Sequence, residues 1–314
     1  MILVCGTMAD TMIELMCARL DDLSYEYLFF DQVHYPGSFH LSWELDTCGP
    51  RGYVTSPDRK VDVANLTGVY ARYARYRGGP ERPGLSKLER DLTDAEYQLS
   101  LMQLLDLLPC VVANRVKAST SNDSKIYQAF LAESFGLRTP RTLVTTDPDE
   151  VWEFYEACDR RVIYKSLSSI RSIVHRLNEE DLRERLARVR HCPTQFQECI
   201  DGVDIRVHSV GDRVFATEIV SEVSDYRYAA REGAPLSLHS IDIPDDVAAA
   251  CTGMARTLGL VLSGIDLRRT PDGEYYCFEV NPSPGFLFYE RSTGQPISEA
   301  VAHLLRGRTS ASGA

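Results

Sequence analysis

The segment that most constrains this chain lies near its end: Gly264-Ile265-Asp266-Leu267-Arg268, a Thr270-Pro271-Asp272-Gly273 turn, then Cys277-Phe278-Glu279-Val280-Asn281-Pro282. Two strand-like runs around a turn read as a β-hairpin. Strand side chains alternate, so Glu279 and Asn281 are expected to share a face with Cys277, while Phe278 and Val280 point the other way. Asp266 alternates in the same manner with Ile265 and Leu267. Pro282 removes a backbone donor and biases Asn281 toward extended geometry, which ends the second strand there. With Asp266 opposite Cys277, Glu279 is a diagonal neighbour and the two carboxylates can share a cation. A three-residue turn with a bulge would instead set Asp266 opposite Phe278, on the wrong face. Hard oxygen ligands suit magnesium, although an ordinary hairpin with solvated acids carries the same letters.

The rest of the composition narrows the class. The 314 residues, 44% hydrophobic and 25% charged, suffice for two or three packed units with sizeable cores. A net charge of −11 argues against a general nucleic-acid or anionic-membrane binder. Nine cysteines are scattered without a Cys-x-x-Cys pair, as in a reduced cytoplasmic protein that uses most of them as small buried hydrophobes. The apolar start has no basic flank, and no run approaches the roughly 18 apolar residues a membrane span needs, so neither secretion nor spanning is expected. The seven histidines, among them His175, His208 and His239, lack metal or triad spacing and read as core or solvated groups.

Periodicity divides the chain into three parts. Residues 1–117 form an α/β unit: strand 2–5, helix 12–20, strands 25–31, 39–45 and 69–73, a long helix over 86–107, and a short strand 111–113. Residues 118–196 form a small α+β unit. In it Ser121, Asn122 and Asp123 supply capping side chains to a helix over 125–135, closed by Gly136. Strand 143–146, helix 149–157, strand 161–166 and a charged helix over 179–190 follow. Residues 197–307 are strand-rich, with strands near 195–200, 205–210 and 214–220, a helix over 245–258, the acidic hairpin and a closing helix over 297–305. Residues 308–314 are expected to be disordered.

Further chemistry-bearing residues precede the hairpin. Lys165 ends the apolar run Val162-Ile163-Tyr164, beside the loop Ser166-Leu167-Ser168-Ser169-Ile170-Arg171-Ser172. A lysine there either holds a phosphate or snorkels to water. No Gly-x-x-x-x-Gly-Lys occurs, which excludes a Walker-type site. Gln197-Glu198-Cys199-Ile200 is a short strand running into Asp201-Gly202, where exposed backbone groups can read an adenine edge. Asp204 and Arg206 lie two apart on one strand face: a carboxylate for ribose and a guanidinium for phosphates, or else a surface salt bridge of little worth. The segment Tyr70-Ala71-Arg72-Tyr73-Ala74-Arg75-Tyr76-Arg77 reads equally as a site for an acidic acceptor or as an exposed sheet edge guarded by charge.

In this ordered set the chain resembles the ATP-grasp superfamily over about residues 110–306, in the branch of glutathione-synthetase-like ligases that includes the ribosomal-protein glutamate ligase. The resemblance implies an ATP-grasp fold of mixed α/β and α+β class. An N-terminal pre-ATP-grasp α/β domain precedes two α+β subdomains that hold the nucleotide between them. It makes Lys125 and Lys165 nucleotide lysines and residues 197–200 (Gln197, Glu198, Cys199, Ile200) the adenine hinge. Asp204 becomes the ribose acid, Arg206 the phosphate arginine, and Asp266, Glu279 and Asn281 the ligands of two Mg2+ ions, for which Mn2+ can substitute. Within that branch, Leu137-x-Thr139-Pro140-x-Thr142-Leu143, Asp225-Tyr226-Arg227 and Tyr289-Glu290-x-x-Thr293-Gly294-Gln295-Pro296-Ile297 are similar to the graspetide ligases, which crosslink microviridin-type peptides. The chain departs from that group in having Tyr226 where Asp-Trp-Arg is usual, and Pro284-Gly285 where Gly-Gln is frequent.

The expected reaction is transfer of the ATP γ-phosphoryl to a carboxylate, followed by attack of an amine or hydroxyl on the acyl phosphate, with Arg206 and Arg227 facing the transferring group. The preferred partner is a ribosomally made precursor peptide. The alternatives are joining of free amino acids, addition of glutamate-like residues to a protein or small molecule, and a catalytically silent ATP-binding protein. A homodimer is the expected assembly.

Overall fold

The computed structural model describes residues 1–73, 84–167, 174–221 and 235–307. The expectations for Arg227, for loop residues 168–172, for residues 74–77 and for the tail 308–314 lie outside the described residues.

The chain begins with β1 (Ile2–Gly6), α1 (Thr11–Asp22) and β2 (Tyr27–Asp31), then β3 (His40–Asp46), β4 (Gly49–Thr55), β5 (Lys60–Asp62), β6 (Gly68–Ala71), α2 (Lys87–Leu107) and β7 (Val111–Ala113). β2, β1, β6 and β7 form a parallel sheet in that order. Every residue of β1 is buried, because helices cover both faces of a parallel strand and its sequence is then a continuous apolar run. β6 lies between β1 and β7, so the start of the arginine-rich segment is interior to the sheet and not an exposed edge. The capping box of Ser86 and Glu89 starts α2.

The antiparallel sheet β3-β4-β5 contains two strands absent from the sequence reading. Gly49, Pro50 and Gly52 make β4 look like a loop. Gly52 is required there, since a Cβ would stand 2.1 Å from the Ser42 carbonyl oxygen and its φ is +150°.

The middle of the chain carries α3 (Val116–Ser119), α4 (Lys125–Ser134), β8 (Thr142–Thr145), α5 (Pro148–Ala157), β9 (Val162–Ser166), β10 (His175–Arg176), α6 (Glu179–Glu184) and β11 (Thr194–Glu198). Its sheet runs β10-β9-β11-β8. Two expectations need correction here. Residues 120–123 form a 3-10 turn, and the residue that starts α4 is Ser124, which makes no side-chain cap hydrogen bond. The charged helix over 179–190 is α6 followed by a 3-10 segment, Leu186–His191, because the chain breaks at Arg185 to bring Val189 into the core with Leu182 and Phe196.

The last part holds β12 (Val203–Val210), β13 (Arg213–Ser221), β14 (Leu236–Ile241), α7 (Asp245–Thr257), β15 (Leu262–Arg269), β16 (Tyr275–Asn281), α8 (Leu287–Thr293) and α9 (Ile297–Arg306). The sheet order is β14-β13-β12-β15-β16. α7 covers one face through Val247, Cys251 and Met254 against Ile205, Val207, Ile265 and Leu267. Each such side chain contributes about 1.5–3 kcal/mol of burial. α9 covers the inner part of the other face and also packs on the first sheet, so Ile297, Val301 and Leu305 share one core with Ile2, Met16, Tyr70 and Phe286. Among the described residues no helix is long and apolar enough to cross a membrane.

Candidate functional site

The site is built on the part of this second face of the C-terminal sheet that α9 leaves uncovered. Across four strands, Thr217, Arg206, Asp266 and Glu279 stand directly opposite one another and form a single row. A second row carries Ile219, Asp204 and Arg268.

The register at the hairpin differs from the expected pairing of Asp266 with Cys277. Near the turn Leu267 pairs with Cys277 and Arg268 with Tyr276, but the register then shifts between Asp266 and Leu267. Asp266 therefore stands directly opposite Glu279, and Gly264 opposite Asn281. Phe278 is the extra residue of a bulge, and one inserted residue exchanges the faces of everything beyond it. Cys277 consequently joins Val280 in the core instead of accompanying Glu279. The Arg268 guanidinium lies over the Phe278 ring, 5.3 Å from its centre.

Each acid in the row meets a cation. Arg206 Nη1 donates to Asp266 Oδ1 at 2.6 Å, and Lys125 Nζ donates to Glu279 Oε2 at 3.3 Å. Asp204 Oδ1 accepts from Arg268 Nε at 2.8 Å, and Arg268 Nη1 donates to the Ile200 carbonyl at 2.8 Å. The Asp266 side chain is 37% exposed and that of Arg206 only 7%, so the carboxylates face the opening while the guanidinium is rooted in the sheet. Gly264 makes room for it, since a Cβ there would stand 2.0 Å from Arg206 Nη2. Tyr289 lies below, with its ring centre 5.9 Å from the guanidinium carbon. His208, two residues along the strand, is wholly buried edge-on to Tyr289. Burial, and then the Arg206 charge, hold its imidazole well below the usual range, so it is neutral.

Several of these residues were invisible as site residues in the sequence. β16 is a sheet edge, and Gln128 of α4 completes it: its Nε2 donates to the Val280 carbonyl at 2.8 Å and its Oε1 accepts from Val280 N at 2.9 Å. Gln128 and Lys125 are three apart on one helix face, so the same docking delivers the ammonium to Glu279. Asn114 and Arg72 reach the far end of the hairpin from the first unit. Gln295 and Glu290, from the graspetide-like segment, make internal contacts. Gln295 accepts from Thr217 Oγ1 at 2.8 Å and donates to the Ala216 carbonyl at 3.0 Å, while Glu290 accepts from Ser298 N at 2.7 Å and Arg19 Nη2 at 3.1 Å.

The central sheet supplies the remaining candidates. Lys165 stands opposite Gln195 on β11, and Gln197 is opposite Ile163. Alternation puts Lys165, Gln195 and Gln197 on one face, whereas Tyr164 and Phe196 face the helices. Gln197 is buried, with its Nε2 donating to Thr142 Oγ1 at 3.0 Å. Glu198 and Cys199 run on as a strand end tied by backbone bonds to Arg141 and Arg161.

Two opposed carboxylates and a carboxamide two residues on make a hard oxygen set. Among the described residues no cluster of three or more His, Cys, Asp or Glu could hold a metal by itself. The set therefore fits Mg2+ that arrives with phosphate oxygens completing its coordination, the usual arrangement for this ion. Five of the nine cysteines are buried, and burial pushes the Cys251 thiol up to about 12, so these are packing groups.

Residues 120–305 match the model of the RimK-like ATP-grasp domain. A probable alpha-L-glutamate ligase of Pseudomonas paraeruginosa is 26% identical over 219 residues, 67% of this chain and 71% of that protein. A RiPP-associated ATP-grasp ligase of Chryseobacterium gregarium, solved with ADP and a leader and core peptide, superposes with a TM-score of 0.82 at 24% identity, covering 97% of this chain and 96% of that one. The ATP-grasp ligase PsnB with its minimal precursor gives a TM-score of 0.79 at 26% identity and 97% of both chains. Its complex with minimal precursor, Mg and ADP gives 0.74 over the same shares.

Proposed function

Because the chain belongs to the RimK-like ATP-grasp family, we propose that it is an ATP-dependent ligase that closes ester or amide crosslinks within a ribosomally made precursor peptide. The row of Arg206, Asp266 and Glu279, with Lys125 at its end, carries this reading. Such a site has its charges balanced before any nucleotide arrives. An incoming Mg-nucleotide offers a cation to each carboxylate and an anion to each cation, so four exchanges occur with little net change in charge.

Asp266, Glu279 and Asn281 would hold the metal, two ions in our assignment, with Mn2+ as a substitute; bound there, it would supply positive charge beside the phosphates. Lys125 and Lys165 neutralise the inner phosphates. Residues 197–200 lie against adenine, and Asp204, released from Arg268, takes the ribose hydroxyls. Arg206 faces the transferring phosphoryl group, a role we also assign to Arg227. A peptide carboxylate oxygen attacks the γ-phosphorus and ADP leaves. A hydroxyl or amine of the same peptide then attacks the acyl carbon, loses its proton, and expels inorganic phosphate. The protein supplies position and charge and no covalent nucleophile. In this reading residues 118–196 and 197–307 close on the nucleotide, residues 1–117 precede them, and two copies associate.

A cleft of about 200 Å³ on the helical face of the central sheet, lined by Tyr164, Leu177, Asp181, Arg185, Val189 and Phe196, is where we place the peptide leader. It lies on the opposite face from Lys165, so a leader there anchors the substrate without entering the reaction cleft.

The test offers purified protein, ATP and Mg2+ to separate pools of free amino acids and of acidic peptides rich in Thr, Ser and Lys. Peptide-stimulated ADP release, with loss of one water from the peptide per bond, is the expected result. Release stimulated by amino acids alone would transfer the assignment to the second reading, a glutamate-type ligase, which the sequence relatives favour. Saturable ATP binding without turnover in either pool would identify a silent nucleotide binder.

A further inference from the structure

The far end of the metal hairpin has a mechanical problem. Asn281 is the last residue of an edge strand and pairs only with Gly264. The residues after it are Pro282, Ser283 and Pro284, and the two prolines have no N–H to donate. The Ser283 N–H is already used, donating to Asn281 Oδ1 at 2.9 Å. No backbone ladder can therefore hold this segment, yet a metal ligand must be kept within about 0.5 Å of its working position.

We propose that Arg72 and Asn114, both from the first unit of the chain, are positioning residues that hold the Asn281 carboxamide in place for the metal. The inference rests on Asn281 being a metal ligand. Asn114 is buried and makes four hydrogen bonds with one amide. Its Nδ2 donates to the Leu262 and Pro282 carbonyls, both at 2.6 Å, and its Oδ1 accepts from Val261 N and Leu262 N at 2.9 and 3.2 Å. It thus ties the start of β15 to the residue following β16. Arg72 holds the next residue: Nη1 donates to Ser283 Oγ at 3.0 Å. Arg72 is itself oriented by Asp10, whose Oδ2 accepts from its Nε at 2.6 Å while Oδ1 caps α1 through Met12 N at 2.9 Å. A continuous chain of hydrogen bonds runs from the cap of α1 through Asp10, Arg72 and Ser283 to Asn281. Outer groups of this kind commonly set metal affinity without touching the ion.

The test is calorimetric and needs no turnover. The affinity of a non-hydrolysable ATP analogue is measured in EDTA and again with Mg2+, for wild type, Ser283→Ala, Arg72→Ala, the double variant and Asn281→Ala. Arg72→Ala and Ser283→Ala are expected to keep the EDTA affinity within about twofold and to lose about tenfold of the tightening that Mg2+ confers. The double variant should lose no more than Arg72→Ala alone, since both cut the same contact. Additive losses, or equal losses with and without the metal, would overturn the positioning role. Ser283→Ala removes one hydroxyl from an exposed loop, so folding failure does not obscure its result. If Asn281→Ala retains the full Mg2+ effect, the metal assignment itself is wrong; if it loses the effect while Arg72→Ala and Ser283→Ala keep it, only the clamp is wrong.

Discussion

Thr217 and Asp266 flank Arg206 on either side in the same row of the same sheet, yet one belongs to a sealed polar cluster and the other to an open charged one. Thr217 is fully buried and its hydroxyl donates to Gln295, which also reaches the Ala216 carbonyl, while Glu290 next to it ties Ser298 to Arg19. Every group in the sealed cluster is neutral or has a permanent partner. In the open cluster, Asp266, Glu279 and Asp204 hold cations across partly exposed contacts. Each of these carboxylates is reached from the opening of the site, so an incoming cation and anion can take the place of the partners without leaving a buried charge unpaired. Similar residue types thus perform different work, and what separates them is whether a helix closes over the row.

The sharpest way to break this comparison is Asp266→Asn. It should lower turnover about a thousandfold while costing at most about 1.5 kcal/mol of stability, because the Asn oxygen can still accept from Arg206, checked by ADP release beside urea unfolding. A parallel collapse of stability would show that the open pair is structural after all. Next comes Gly264→Ala, whose methyl must displace the Arg206 guanidinium. A misplacement of this size should cost about a hundredfold in kcat/KM, read from initial rates on protein with an unchanged circular dichroism spectrum. The smallest effect on chemistry and a clear one on stability belong to Glu290→Gln, on the sealed side. It weakens charge-assisted bonds to Ser298 and Arg19, so denaturant unfolding should report about 2 kcal/mol lost, with kcat/KM of the folded protein within about twofold of wild type.

Much of this architecture was legible along the chain because its cues are local. The apolar run of β1, the long helix α2 and the closing helix α9 lie where periodicity placed them, within a residue or two. β4 was missed because Gly49, Pro50 and Gly52 carry turn signals, and only the neighbouring β3 backbone explains why a glycine sits in a strand. The helix expected over 179–190 was overextended because its charge spacing is helical throughout, whereas the pull of Val189 into the core is a tertiary effect. At the site, Asp266, Glu279, Asp204 and Arg206 were named from residue type and order and lie on one face of the sheet, and Lys125, named from the family resemblance, reaches Glu279 from α4. Their partners were assigned less well: Arg268 holds Asp204, and Arg206 pairs with the acid of the neighbouring strand.

By itself, then, the sequence determined the acidic and amide residues of the hairpin and the strands that carry them, since a two-residue alternation and a terminating proline are properties of neighbouring residues. Tertiary structure alone decided which groups meet. The bulge at Phe278 put Cys277 and Glu279 on opposite faces, Gln128 carried Lys125 onto an edge strand more than 150 positions away, and Asn114 and Arg72 crossed from the first unit to grip Pro282 and Ser283. Those contacts depend on how separately folded layers stack, and no local period in the chain encodes a distance between layers.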